Sequence, residues 1–136
     1  MAREFIPVRI HIREQRPTFQ RFKAEWTPTQ LVLDPEGVER HRVEGFLPTD
    51  DFLAQLELGL AKVAFGLKRH DEAERRFLDV TEKHPRAAAA PEARYWAGVS
   101  AYKASGSAEH LRTTAKALEA RFPDSEWTRK ASVWNG

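Results

Sequence analysis

The hydrophobic period of this chain changes once, near residue 47, and that change limits the folds open to it. Ahead of it, Phe5 to Arg13 sets Val8, Ile10 and Ile12 against Arg9, His11 and Arg13, the alternation of a half-buried strand. Gln30-Leu31-Val32-Leu33 reads as a second, short apolar strand. Asp34-Pro35-Glu36-Gly37 is a turn, with proline presetting φ and glycine free to take φ > 0, and Val38 to Val43 returns as a third strand to close a hairpin. Pro17 to Phe22 has room for one helical turn between the first two strands, with Phe19 and Phe22 on one side.

After residue 47 the spacing is helical. Thr49 is the expected N-cap, followed by Asp50 and Asp51 where the helix dipole favours acidic side chains. Leu53, Leu56, Leu60, Val63 and Leu67 then form one apolar stripe. A second helix begins near Asp71, carries Ala73, Phe77 and Val80 inward, and stops before Pro85. A third opens at Pro91 with Tyr95, Val99 and Tyr102 on one side, and Ser105-Gly106-Ser107 breaks it. A fourth runs from about Ala108 to Phe122 with Leu111, Ala115, Leu118 and Phe122 in register. Pro123 ends it, and Asp124 or Ser125 caps a short fifth helix bearing Trp127, Ala131 and Trp134. Strands followed by helical hairpins predict an α+β fold, divided between residues 1–47 and 48–136.

The helical half repeats. Pro85 and Pro123 close comparable hairpins 38 residues apart. Leu60, Ala61, Ala64, Ala73, Phe77 and Pro85 resemble the tetratricopeptide pattern, with small residues where two helices touch, an aromatic on the second helix and a terminating proline. Tyr95, Gly98, Ala101, Leu111, Ala115, Leu118 and Pro123 follow similarly, and the last helix resembles the cap such arrays need. Two roles stay open for such an array: a concave face that takes a peptide or partner domain, or a packing extension of the sheet.

Composition removes several function classes. With 41% apolar and 31% charged residues the chain is ordinary globular material, and its 136 residues suit one domain. No apolar run approaches the ~18 residues that cross a bilayer, so no membrane association is expected. Met-Ala-Arg-Glu-Phe-Ile-Pro lacks the basic, apolar and small-residue order of an export signal, which predicts a cytoplasmic protein. The 22 basic and 20 acidic residues nearly balance. Arg3, Arg9, Arg13, Arg16, Arg21 and Lys23 against Glu4, Glu14 and Glu25 read as solvated charge, so nucleic acid is not an expected partner. The chain has no cysteine.

Trp26-Thr27-Pro28-Thr29, the hairpin of Gln30 to Val43, then Glu44-Gly45-Phe46 and an amphipathic helix resemble, in that order, the C-terminal half of a thioredoxin fold. The whole looks like bacterial thioredoxin-family proteins with a tetratricopeptide-like tail. The resemblance covers residues 5 to 68 and implies a partial thioredoxin-like sheet of about three strands. It also implies a cis bond before Pro28 and a peptide-binding role for Trp26, Thr27, Pro28 and Thr29. The Cys-x-x-Cys of that family has no counterpart here, and thiol–disulfide exchange requires a thiolate. Two readings follow. One is a non-catalytic protein-interaction or scaffold module with no cofactor. The other is a fragment of a thiol–disulfide oxidoreductase whose active-site half lies upstream. The family's missing strand would sit between Phe5–Arg13 and Gln30–Asp34, so exposed sheet edges are expected to drive homo-oligomer formation.

The remaining constellations carry little chemistry. His11, His41, His70, His84 and His110 include no His-x-x-x-His or Glu-x-x-His pair, and no metal site is expected even if His11 and His41 share a sheet face. Trp96, Trp127 and Trp134 read as packing residues. No Gly-rich nucleotide motif or Gly-x-Ser-x-Gly appears.

Overall fold

The turn chemistry at Asp34 sets the hairpin. In the computed structural model, which describes residues 4–136, β1 (Thr29–Leu33) and β2 (Glu39–Glu44) pair antiparallel, Gln30 opposite Val43 and Val32 opposite His41. Arg3, counted above among the basic residues, lies outside the described residues. The Asp34 carboxylate accepts the amides of Glu36 at 3.0 Å and Val38 at 2.9 Å and pairs with Arg40 at 2.8 Å. Gly37 takes φ +82°, as the turn requires. Burial of Asp34 opposes its ionisation, but the Val38 amide, Arg40 and the Glu36 amide outweigh it and hold the carboxyl below its usual value near 3.8.

The described residues contain six α-helices, a closing 3-10 turn at Ser132–Trp134, and a sheet of two strands, an α+β arrangement. The strand expected over Phe5–Arg13 does not form, so the sheet has two strands, and not about three. Residues 5–11 have no regular structure, and Ile6 and Val8 are 93% and 74% exposed. Alternation says which side chains would share a face; it does not supply the neighbouring backbone that N–H and C=O groups need. Glu4, just ahead of the segment, pairs instead with Arg76 on a helix at 3.2 Å. The turn expected over Pro17–Phe22 is α1 (Arg16–Arg21), opened by its proline.

α2 (Thr49–Gly66) follows Pro48, which stands at the N-cap position in place of Thr49. Its buried face is Ala54, Leu58, Gly59, Ala61 and Ala64, offset from the leucine stripe, of which Leu53 is exposed and Leu56, Leu60, Val63 and Leu67 are half-buried. The reason is steric. α2 has the sheet on one side and α3 (His70–Lys83) on the other, and small residues sit where backbones come closest. A Cβ at Gly59 would lie 2.6 Å from Val32 Cγ2. α3 buries Ala73, Phe77 and Val80 as its spacing predicts.

α4 (Ala89–Ser105) is the central helix, packed against α2, α3, α5 (Glu109–Arg121) and α6 (Glu126–Ala131). Its inward face is Ala89, Ala93, Ala97 and Ala101, whereas Tyr95 and Val99 are half-buried and Tyr102 is exposed. A helix enclosed by four others has no room for aromatics at every contact. Its aromatics instead form a seam across alternate helices: Phe65 on α2 meets Trp96 on α4 at 5.4 Å, and Tyr95 stacks on Trp134 at 4.7 Å beside Trp127. Gly106 ends α4 in the left-handed region at φ +76°, and Ser125 Oγ caps α6 by accepting the Trp127 amide. Among the described residues no helix is long and apolar enough to cross a membrane.

A Cβ at Gly98 would stand 2.6 Å from Thr114 Cβ on α5, so Gly98→Ala is expected to lower stability by about 1–3 kcal/mol in urea denaturation; an unchanged midpoint would show that α4 and α5 are not in close contact. Because the Asp34 value is depressed in the folded chain, the stability it adds is complete above about pH 3.8 and is lost as pH falls through the lower folded value. Asp34→Asn should therefore shallow the acid limb of the stability profile below that pH, and an unchanged limb would contradict the assignment.

Candidate peptide-binding edge

The connection from α1 to β1 carries the Trp26–Thr29 stretch singled out from the sequence. It is tied down at three points. The Thr29 hydroxyl donates to the Trp26 carbonyl at 2.5 Å, and the Gly45 amide donates to the Pro28 carbonyl at 2.8 Å. The Arg42 guanidinium donates to the Phe22 carbonyl. The bond between Thr27 and Pro28 is cis. Arg42 also pairs with Glu39 at 2.7 Å; that hydrogen bond holds the Glu39 carboxyl below and the Arg42 guanidinium above their usual values.

Held this way, Trp26 stays 66% exposed and borders an open depression of about 180 Å³ lined by Ile12, Phe19, Glu25, Trp26 and Thr27. The structure thus brings Trp26 and Thr27 together with Ile12 and Phe19, which the sequence reading placed elsewhere. Pro28 and Thr29 are half-buried at the start of β1 and do not line the depression. No local signal links Ile12 to Trp26, because only the fold of the intervening α1 segment juxtaposes them.

Beside the depression runs an unpaired strand edge. Antiparallel pairing alternates the backbone groups of a strand between its two edges. Since Pro28 accepts from Gly45 and Val32 lies opposite His41, Gln30 and Val32 face β2, while Thr29 and Leu31 direct N–H and C=O away from it. That edge has no partner strand among the described residues. The two outer strands differ sharply in chemistry. β2 carries Glu39, Arg40, Arg42 and Glu44, whereas β1 is Thr-Gln-Leu-Val-Leu, without a charge or an internal proline. Charges and prolines are the usual devices that keep an edge from adding another strand, and β1 has none.

His11 stands just ahead of a turn, its backbone amide donating to Gln15 Oε1 at 2.8 Å, and shares no sheet face with His41. His84 sits at the junction of α2 and α3, with Nδ1 2.7 Å from Asp50 Oδ1 and Nε2 3.4 Å from Glu57 Oε2. Among the described residues no group of His, Asp or Glu is arranged to hold a metal ion. Trp96, Trp127 and Trp134 lie in the interhelical seam. His41 instead meets Gln55, Lys62 and Glu92 where the sheet rests on the helices, a grouping absent from the sequence reading because no local spacing joins these residues.

No family model, curated protein or solved structure matches the chain. If Trp26 is free surface rather than core, Trp26→Ala should change stability by less than about 0.5 kcal/mol, whereas Phe77→Ala, at a fully buried site, should cost about 3–5 kcal/mol in the same denaturation assay. Comparable losses at both positions would mean that Trp26 supports the fold.

Proposed function

We propose that this chain is a non-catalytic protein-binding module that takes an extended segment of a partner along the open edge of β1, with Trp26 and its depression receiving one side chain. The observation that carries the reading is the pairing of an uncharged, unprotected strand edge with an exposed aromatic anchor. Strand addition draws affinity from main-chain hydrogen bonds and specificity from side-chain pockets; the outward groups of Thr29 and Leu31 offer the first and the depression at Trp26 one of the second. The thioredoxin-like reading of residues 5–68 is supported by the element order α1, β1, β2, α2. The tetratricopeptide-like reading of the helices is supported by contacts of α2 with α4 and of α4 with α6, the alternate-helix packing of a stacked array.

Where no other partner is present, a second copy of the chain is the occupant we propose, giving a homo-oligomer joined through sheet edges. Light scattering should then report a mass above 15.6 kDa that rises with concentration, and Leu31→Pro, which deletes an outward N–H while leaving the Gln30 and Val32 ladder bonds in place, should return it to the monomer. A strictly monodisperse 15.6 kDa species at every concentration would contradict self-pairing.

The open edge also supports a second reading, in which an upstream strand bearing Cys-x-x-Cys covers β1 in a longer oxidoreductase. In-frame codons for such a motif ahead of Met1 would favour it, and their absence would remove it.

A further inference from the structure

Between the sheet and the helices lies a polar junction that the binding edge does not use. His41 on β2 is held at both ring nitrogens: Nε2 lies 2.7 Å from Gln55 Oε1, and Nδ1 lies 3.2 Å from Lys62 Nζ. The same ammonium stands 2.8 Å from Glu92 Oε2 on α4. An ammonium donates and cannot accept, so the Nδ1 that faces it carries the lone pair, and Nε2–H donates to Gln55. Geometry therefore holds the imidazole neutral. A proton on Nδ1 would point at the Lys62 ammonium, in a seam where the Lys62 and Glu92 side chains are only 25% and 17% exposed.

The surrounding groups give that proton little relief. α2 contributes Lys62 and the uncharged Gln55, α4 contributes Glu92, and Val32 across the ladder on β1 has no charge. The neighbouring arginines of β2 are engaged elsewhere, Arg40 with Asp34 and Arg42 with Glu39 and Glu44. Among the described residues Glu92 is the one carboxylate at the junction, and Lys62 already pairs with it.

We propose that this junction is a pH-sensitive latch, in which neutral His41 seats the hairpin on α2 and proton uptake by His41 unseats it. Burial pushes His41 below its ordinary value near 6.5, Lys62 pushes the same way, and Gln55 and Glu92 recover only part of that shift. The sign follows. The contribution of the seated ring is complete above about pH 6.5 and drains away as pH falls toward the lower seated value. An unseated hairpin returns His41 to its ordinary value, so the open population rises as pH falls below it, by at most about tenfold per pH unit and only down to the lower seated value. Because the hairpin carries β1, the latch controls how the binding edge is presented. That consequence rests on the function proposed above, whereas the latch itself does not.

The test is hydrogen–deuterium exchange on the full chain near neutral pH and again about one unit below 6.5, corrected for intrinsic rates. The β1 and β2 amides should open more at the lower pH, by more than about twofold and up to about tenfold, with no parallel rise in α3 to α5, and His41→Gln and Lys62→Gln should each flatten that response. Sheet amides that change less than about twofold, or either variant keeping the full rise, would overturn the latch. Failure of self-association with this exchange pattern intact would remove the self-pairing reading alone.

Discussion

The whole arrangement depends on how closely α2 can be approached from two sides. On one side the sheet lies on Gly59, where a methyl group would meet Val32 at 2.6 Å. On the other, α3 packs on a face made largely of alanines 54, 61 and 64, with Leu58 between them. Larger residues would not stop a helix forming, but they would push the sheet and the bundle apart. α4 repeats the solution with Ala89, Ala93, Ala97 and Ala101, and Gly98 admits Thr114 of α5. Phe77, Leu58 and Leu118 fill what these small residues leave, so the core is built of a few large side chains between close backbones.

That closeness explains where the reactive surface lies. The hairpin is held from beneath by α2 and from its turn by Asp34, so β1 is fixed in place while it is seated, although its outer edge is open. A rigid strand with a free edge loses little entropy when it gains a partner, whereas a floppy one would have to be ordered first. Arg42 and Gly45 fix the Trp26–Thr29 connection to the same hairpin, and the aromatic anchor and the edge therefore move as one unit. The polar junction beneath, His41 with Gln55, Lys62 and Glu92, joins that unit to the helices through ionisable groups.

Much of this was legible in the residues. The hairpin turn at Asp34–Gly37, the helix ends at Gly106 and Ser125, and the inward face of α3 all follow from local rules that neighbours do not override. Three features were not. Phe5–Arg13 has the alternation of a strand, yet pairing is a property of two segments, and among the described residues no strand pairs with it. On α2 and α4 the large apolar residues mark the wrong face, because the tightest contacts select alanine and glycine, which hydrophobic periodicity underweights. Of the edge, Trp26 and Thr27 could be named in advance, but Ile12 and Phe19 join them only through the path of α1.

The most direct measurement of the central claim is residue-resolved amide exchange at β1 across a concentration series. In dilute solution the Thr29 and Leu31 amides should exchange freely while Gln30 and Val32 are protected, and crowding the solution with further copies should slow Thr29 and Leu31 alone. Thr29 and Leu31 amides that are already protected at the lowest concentration, or that never slow as it rises, would show that β1 offers no free edge to a partner.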